Sequence, residues 1–199
     1  MTIHMSNWFN HPIVDKLHGL QWGAWGGAAR DYYFGREPRD VDIAVDCTEE
    51  ELFSKFPGAN KNRFGGLKIK DTIDFDLWPL ASTWNIKVAK LQPTFENLAS
   101  LGPYNADCLV LTHDGKLIDK GFLDCLRTKM LEVNFELNPH PQHNILRGLR
   151  IMDRLGIMPG ASFANYVIRH RDGLDKEIVR YESFYGLKVN MECLEAILK

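Results

Sequence analysis

The period of hydrophobic and polar positions changes several times along the chain, and each change marks an element. Residues 6–17 read as a first helix, with Pro12 either in its first turn or breaking it. Residues 20–25 read as a short strand ending at Gly26-Gly27, and 28–34 as the helix that follows. A glycine-containing turn over 35–39 leads into a strand over 41–45. Thr48 followed by Glu51 is a capping box, which predicts a helix over 48–56 that Pro57-Gly58 stop. After Gly65-Gly66, a strand holds Leu67, Ile69 and Lys70. Asp71-Thr72 then turn the chain into Ile73, Phe75 and Leu77, which alternate with Asp74 and Asp76 as a half-buried strand does. Strands over 106–112 and 116–119 flank the turn His113-Asp114-Gly115, and 122–131 reads as helix.

Beyond Asn138-Pro139-His140-Pro141 the period becomes helical. Ile145, Leu149, Met152 and Leu155 line one face, and further helices are predicted over 161–169, 174–184 and 191–198. The pattern divides the chain into a mixed sheet-and-helix part, residues 1–138, and a helical part, residues 139–199.

Composition narrows this picture. A length of 199 residues suits one compact domain, or a catalytic domain with a small helical appendage, and 45% hydrophobic residues suffice for a core. The net charge of −2 argues against a strongly basic nucleic-acid binder, so any RNA contact must come from a local patch. Lys61, Arg63, Lys68 and Lys70 form one such cluster, suited to triphosphate, to RNA or to plain solvation. Cys47, Cys108, Cys125 and Cys193 are far apart with no C-x-x-C, against a zinc site or disulfide scaffold and for a reducing compartment. There is no membrane-length apolar run and no signal pattern at the N-terminus, so a cytoplasmic protein without a membrane partner is expected.

Candidate chemistry is concentrated in residues 26–45. Asp40 and Asp42 stand two apart in a strand, so their carboxylates share a face. Like charges this close call for a cation, and a hard divalent ion such as Mg²⁺, or Mn²⁺, fits carboxylate oxygens next to phosphate. Gly26 and Gly27 precede a helix N-terminus, where backbone N–H groups hold phosphate. Arg30, four residues after Gly26, can reach a phosphate oxygen or clamp an acid, with Asp31 the nearest. Asp74 and Asp76 make a second same-face pair, read either as site acids or as a solvated strand side. Trp22, Trp25, Trp78 and Trp84 can stack a base, although packing is the commoner use.

Taken together, Gly26, Gly27, Arg30, Asp31, Gly35, Arg36, Asp40 and Asp42 resemble the GG-x-x-R-D … D-x-D pattern of class II CCA-adding enzymes and bacterial poly(A) polymerases. The resemblance implies an α+β fold, a polymerase-β-type nucleotidyltransferase head followed by a short helical neck. It implies Asp40, Asp42 and Asp74 as catalytic, with Asp40 and Asp42 holding the two metals and Asp74 or Asp76 assisting. It also implies Gly26, Gly27, Arg30, Asp31, Arg147 and Arg150 as nucleotide-binding, the last two on a segment similar to the family's Arg-Ala-Leu-Arg helix. Read on residues alone, Arg147 and Arg150 also fit a solvated helix face. Asn105-Ala106 and 113–119 resemble the family's hairpin.

Two departures stand out. Ala99-Ser100-Leu101 replaces the family's Arg-Arg-Asp, and His140 to Asn144 replace the Glu-Asp-x-x-Arg that reads the incoming base. The family's further RNA-holding domains would not fit in the remaining length. The expected function is therefore nucleotide transfer from an NTP to a hydroxyl of RNA (tRNA), of a protein acceptor or of a small molecule. The alternatives are a lapsed nucleotide-binding module or one half of a split enzyme acting through a protein partner.

Overall fold

The structure, a computed structural model, describes residues 7–62 and 65–199. The chain divides into two compact units, Met1–Gly102 with Asp107–Lys120, and Pro103–Ala106 with Gly121–Lys199.

The first unit is built on one sheet. Its elements are α1 (Pro12–Asp15), β1 (Gln21–Trp25), α2 (Gly27–Tyr33), β2 (Asp40–Asp46), α3 (Glu49–Lys55), β3 (Asn60–Lys61), β4 (Leu67–Ile69), β5 (Asp74–Pro79), α4 (Trp84–Ala89), α5 (Phe95–Ser100), β6 (Leu109–Thr112) and β7 (Leu117–Asp119). Among the described residues the sheet has seven strands in the order β3-β4-β5-β2-β1-β6-β7. All neighbours run antiparallel except the central pair β2 and β5. A parallel pair needs a long crossover, which 47–73 supplies.

Period-two alternation decides which side of the sheet is core. Val41, Ile43, Val45, Phe75, Leu77 and Ala24 point to one face and are fully buried. An aromatic group of Trp8, Phe9, Trp22 and Tyr32 covers part of this face, which ties the N-terminal segment and α2 to it. Each fully buried Val, Ile, Leu or Phe of this face stabilises the unit by roughly 1.5–3 kcal/mol.

Local chemistry sets the element ends. Pro12 splits the single helix expected over 6–17 into a 3₁₀ turn, Asn7–Asn10, and the short α1 with Pro12 in its first turn; Ser6 lies outside the described residues. Thr48 caps α3 as its sequence signature predicts, its hydroxyl accepting from the Glu51 N–H at 3.1 Å. The helices α4 and α5 have no counterpart in the sequence reading.

The second unit holds α6 (Phe122–Thr128), β8 (Met130–Leu131), α7 (Pro141–Leu155), β9 (Met158–Pro159), α8 (Ala161–Arg169), α9 (Leu174–Tyr185) and α10 (Met191–Leu198). The helix expected over 122–131 stops at Thr128, because Lys129 takes a left-handed φ of 57° and the chain continues as β8. The apolar stripe of α7 (Ile145, Leu149, Met152) meets Phe163 and Val167 of α8 and Tyr181 of α9 in one core.

Gly148 marks the closest approach in this core. A β-carbon there would run into the Phe163 ring and lie 3.1 Å from Tyr104. The resembled pattern carries Ala at this place. Gly148→Ala is therefore expected to destabilise the second unit by about 1–3 kcal/mol, since a packed core resists one extra methyl. A denaturant melt followed by CD checks this; an unshifted or raised midpoint would refute it.

Candidate active site

The two central strands place four carboxylates on the face opposite the core. Val41, Ile43, Phe75 and Leu77 point inward, so Asp40, Asp42, Asp74 and Asp76 point outward. The parallel register sets Asp40 beside Asp74 and Asp42 beside Asp76. Adjacent strands lie about 4.8 Å apart, so this is a two-by-two array of like charges. Its side chains remain open to solvent: 47% for Asp40, 36% for Asp74 and 20% for Asp76. A charged ligand can therefore reach them.

Protein cations answer part of this charge. Arg39 donates from Nη2 to Asp40 Oδ2 at 2.7 Å. Lys68, opposite Asp76 in the β4–β5 register, brings Nζ to 3.5 Å from Asp76 Oδ2 and 3.6 Å from Asp74 Oδ2. Burial works against the Lys68 ammonium, but the attraction of Asp76 and then Asp74 outweighs it and raises its pKa. Asn62 Nδ2 lies 3.4 Å from Asp76 Oδ1.

The glycine turn follows at the end of β1. Gly26 has φ 61° and ψ −114°, a conformation that side chains exclude. Its N–H donates to Leu109 O at 3.2 Å, so Gly26 anchors the turn. The first intrahelical bond of α2 runs from the Arg30 N–H to Gly26 O. The N–H groups of Gly27, Ala28 and Ala29 thus lie ahead of the helical ladder, as anion-holding groups do. The β1–β2 register pairs Ala24 with Ile43; continued, it brings the turn level with Asp42 and Asp40.

Arg30 is 6% exposed and forms an ion pair with Asp107, which is 1% exposed. Its guanidinium also lies against Gly27. Asp31, the acid that sequence proximity singles out, is buried, and its carbonyl accepts from the N–H groups of Phe34 and Arg36. The structure thus places Gly26, Gly27, Arg30, Asp31, Asp40, Asp42 and Asp74 in one unit, where the Arg30–Asp107 ion pair links α2 to the residues just ahead of β6.

Arg147 and Arg150 belong to the second unit, on α7. Arg147 is exposed, and the Arg150 guanidinium stands 5.7 Å from the Tyr185 ring centroid. His140 stands at the N-cap of α7 and residues 141–144 form its start, with Pro141 in the first turn. There Gln142 donates to Asp172 O at 3.0 Å, and His143 Nδ1 lies 3.1 Å from Glu177 Oε1. Of the four tryptophans considered for stacking, Trp22 is buried in the core, whereas Trp25, Trp78 and Trp84 are only half-buried. Trp78 shares the carboxylate face, two residues on from Asp76. In the basic cluster, Lys61 pairs with Glu49, Lys68 with the acids, and Arg63 lies outside the described residues.

Two residues escaped the sequence reading in these roles. Asp107 gives no local signal, because Arg30 is 77 residues away. Lys68 did carry a signal, since Lys68 and Asp76 occupy facing strands of one hairpin.

The donor set suits a divalent ion in a particular way. Among the described residues no three His, Cys, Asp or Glu side chains converge as a complete metal cage. Mg²⁺ at phosphate sites takes one or two carboxylates and completes its shell with phosphate oxygens and water. Asp40 and Asp42 are two carboxylates on one solvent-facing side of β2.

No protein-family model matches the chain. Part of it is similar to curated proteins. It is 43% identical over 49 residues to the CC-adding tRNA nucleotidyltransferase of Halalkalibacterium halodurans, covering 24% of this chain and 13% of that one. It is 35% identical over 80 residues to the CCA-adding enzyme of Bacillus pumilus, covering 37% and 20%. Among solved structures, a tRNA nucleotidyltransferase complexed with a primer tRNA and an incoming ATP analog superposes with a TM-score of 0.58. It is 24% identical and covers 82% of this chain. The chain has the fold of a tRNA nucleotidyltransferase head. It spans 51% of that solved chain, so the likeness concerns the head portion and carries the α+β architecture. Among the described residues no helix is long and apolar enough to cross a membrane.

Proposed function

We propose that this chain is a Mg²⁺-dependent nucleotidyltransferase that moves a nucleotide from an NTP to an acceptor hydroxyl, with an RNA 3′ end of the tRNA kind as the favoured acceptor. The register of β2 and β5 carries this reading, because it makes a solvent-open carboxylate array beside a glycine turn and a helix start. Asp40 and Asp42 hold the divalent ion, which when bound neutralises phosphate charge and lowers the pKa of a coordinated hydroxyl. The N–H groups at the start of α2 hold the triphosphate. Asp74 takes the proton of the attacking hydroxyl, or helps to position it. Arg147 and Arg150 are candidates for further phosphate contacts on the resemblance alone. Catalysis of this kind is mainly positioning and charge stabilisation. The similarity to a CC-adding tRNA nucleotidyltransferase supports the acceptor class.

Nucleotide choice follows a different programme from theirs in this reading. Gln142 and His143 are engaged by Asp172 and Glu177 in helix packing, and neither an acid nor an arginine stands at 140–144. The same observation favours, as a second reading, a nucleotide-binding module without turnover. Incubation with labelled NTPs, Mg²⁺, total RNA and a tRNA lacking its 3′ CCA separates the two. Incorporation of label without the ordered C, C, A series is expected. Ordered addition of two C and one A by this chain alone would refute the nucleotide prediction, and binding without incorporation would favour the second reading.

A further inference from the structure

We infer that a cavity at the outer edge of β4 is a phosphate-backbone site for a single RNA strand, with Lys16 and Lys70 as its cations. The inference rests on the acceptor reading above, which supplies the course of the strand. The cavity has a volume of about 430 Å³, and Lys16, Phe56, Asn60, Lys68, Ile69 and Lys70 are among its lining residues. Ligand sites span about 300–1,000 Å³, so the size is adequate. Three observations carry the assignment. First, the fold gathers cations that the sequence keeps apart. Lys16 follows α1 and Lys70 follows β4, yet both line one cavity, and no Asp or Glu among the described residues lines it. Second, their charge is unanswered. Lys61 pairs with Glu49, and Lys68 with Asp74 and Asp76, whereas the exposed Lys16 and Lys70 form no ion pair among the described residues. The Lys16 ammonium stands instead 5.5 Å from the centroid of the Phe56 ring. Unpaired ammonium groups around one hollow draw an anion between them. Third, the sheet edge is open here. β3 and β4 pair at Asn60 with Lys68 and at Lys61 with Leu67, and the next rung, Gly58 with Lys70, is not formed. The backbone polar groups that this rung would use are left for a ligand. Phosphates suit the two amines, and Phe56 and Ile69 add an apolar wall for a ribose or base. Continuity with the candidate active site picks an RNA strand over a free phosphate compound. β4 is bonded to β5, so its outer edge lies about 10 Å, two strand spacings, from the strand that carries Asp74 and Asp76. An RNA whose 3′ hydroxyl lies at the carboxylates has this edge within reach of its upstream phosphates.

Lys16→Gln with Lys70→Gln removes both charges at exposed positions, so the fold and its melting temperature should hold. A fluorescein-labelled single-stranded RNA oligonucleotide, titrated by anisotropy over a series of KCl concentrations, reads the result. The double variant is expected to bind it at least about tenfold more weakly at low salt, and the slope of log affinity against log salt should fall by about 0.7 for each lysine removed. Lys16→Arg with Lys70→Arg should keep both the affinity and the slope. Lys176→Gln with Lys199→Gln makes the same charge change at exposed positions of the second unit and should leave RNA affinity near that of the unaltered chain. Affinity for ATP with Mg²⁺, measured by calorimetry, should stay the same in all of them. Unchanged RNA affinity in the Lys16 and Lys70 double variant would overturn the inference, and so would an equal loss in the charge-matched control. Tripolyphosphate binding that needs the two lysines, with RNA affinity that does not, would assign the cavity to a free polyphosphate and overturn the RNA occupant. RNA binding that needs both lysines, in a chain that transfers no labelled nucleotide, would support the site and overturn the transfer reading alone.

Discussion

Replacing Asp40 and Asp42 together by Ala is expected to reduce Mg²⁺-dependent nucleotide transfer by at least about a thousandfold, a loss of roughly 4 kcal/mol in transition-state stabilisation. The direction follows from the array on the β2–β5 face. Both side chains point away from the core, and their strand neighbours Val41 and Ile43 carry the packing. Truncation therefore removes metal-holding oxygens while leaving the hydrophobic interior intact. It also removes two of four crowded negative charges, so the apo melting temperature should stay level or rise. That combination separates a functional pair from a structural one. Transfer measured with labelled NTP, alongside a thermal melt without ligand, checks both halves. Undiminished activity and undiminished Mg²⁺-dependent NTP affinity in the double variant would sink the metal-site assignment. A lower melting temperature with normal activity would make the pair structural.

What could be read in the sequence was what depends on neighbours along the chain. Asp40 and Asp42 share a face because strands have period two, and Thr48 caps α3 because its hydroxyl is three residues from an unbonded N–H. The same local logic found α8 and α10 with their ends. Pairings between distant segments were not legible. That Asp74 and Asp76 lie level with Asp40 and Asp42 is set by a crossover 27 residues long, and nothing in the alternation of either strand fixes that register. The end of α6 was missed for a different reason. A lysine in a left-handed conformation breaks no composition rule, so Lys129 gives no stop signal. At α4 and α5 the segments are six residues each, too short for a helical period to show against their flanking turns. The two carboxylate pairs were thus visible one strand at a time, and the array that joins them appeared only with the sheet.

Arg30 shows the same division and leads to the second large expected effect. From sequence, a guanidinium four residues after Gly26 can serve a triphosphate or an acid, with the triphosphate role favoured. In the structure it is almost fully buried and paired with the buried Asp107. That pair joins the glycine turn to the start of β6, next to the Gly26 N–H bond to Leu109 O. Removing one partner leaves the other charge stranded in a poorly solvated place, which costs about 3–5 kcal/mol. For a chain of this size the apo melting temperature should fall by roughly 6–20 °C in Asp107→Asn or Arg30→Met. The paired change Arg30→Met with Asp107→Leu should recover part of the loss, because it leaves no isolated charge. Arg30→Lys keeps the charge and loses the planar fork, and its effect should lie between. Thermal melts of the four variants without ligand, set beside their NTP affinities, decide the role. A brace predicts losses in stability that exceed any loss in affinity measured well below each melting point. An apo melting temperature within a degree of the unaltered chain, together with a tenfold or greater drop in NTP affinity, would instead make Arg30 a phosphate ligand and Asp107 the residue that aims it.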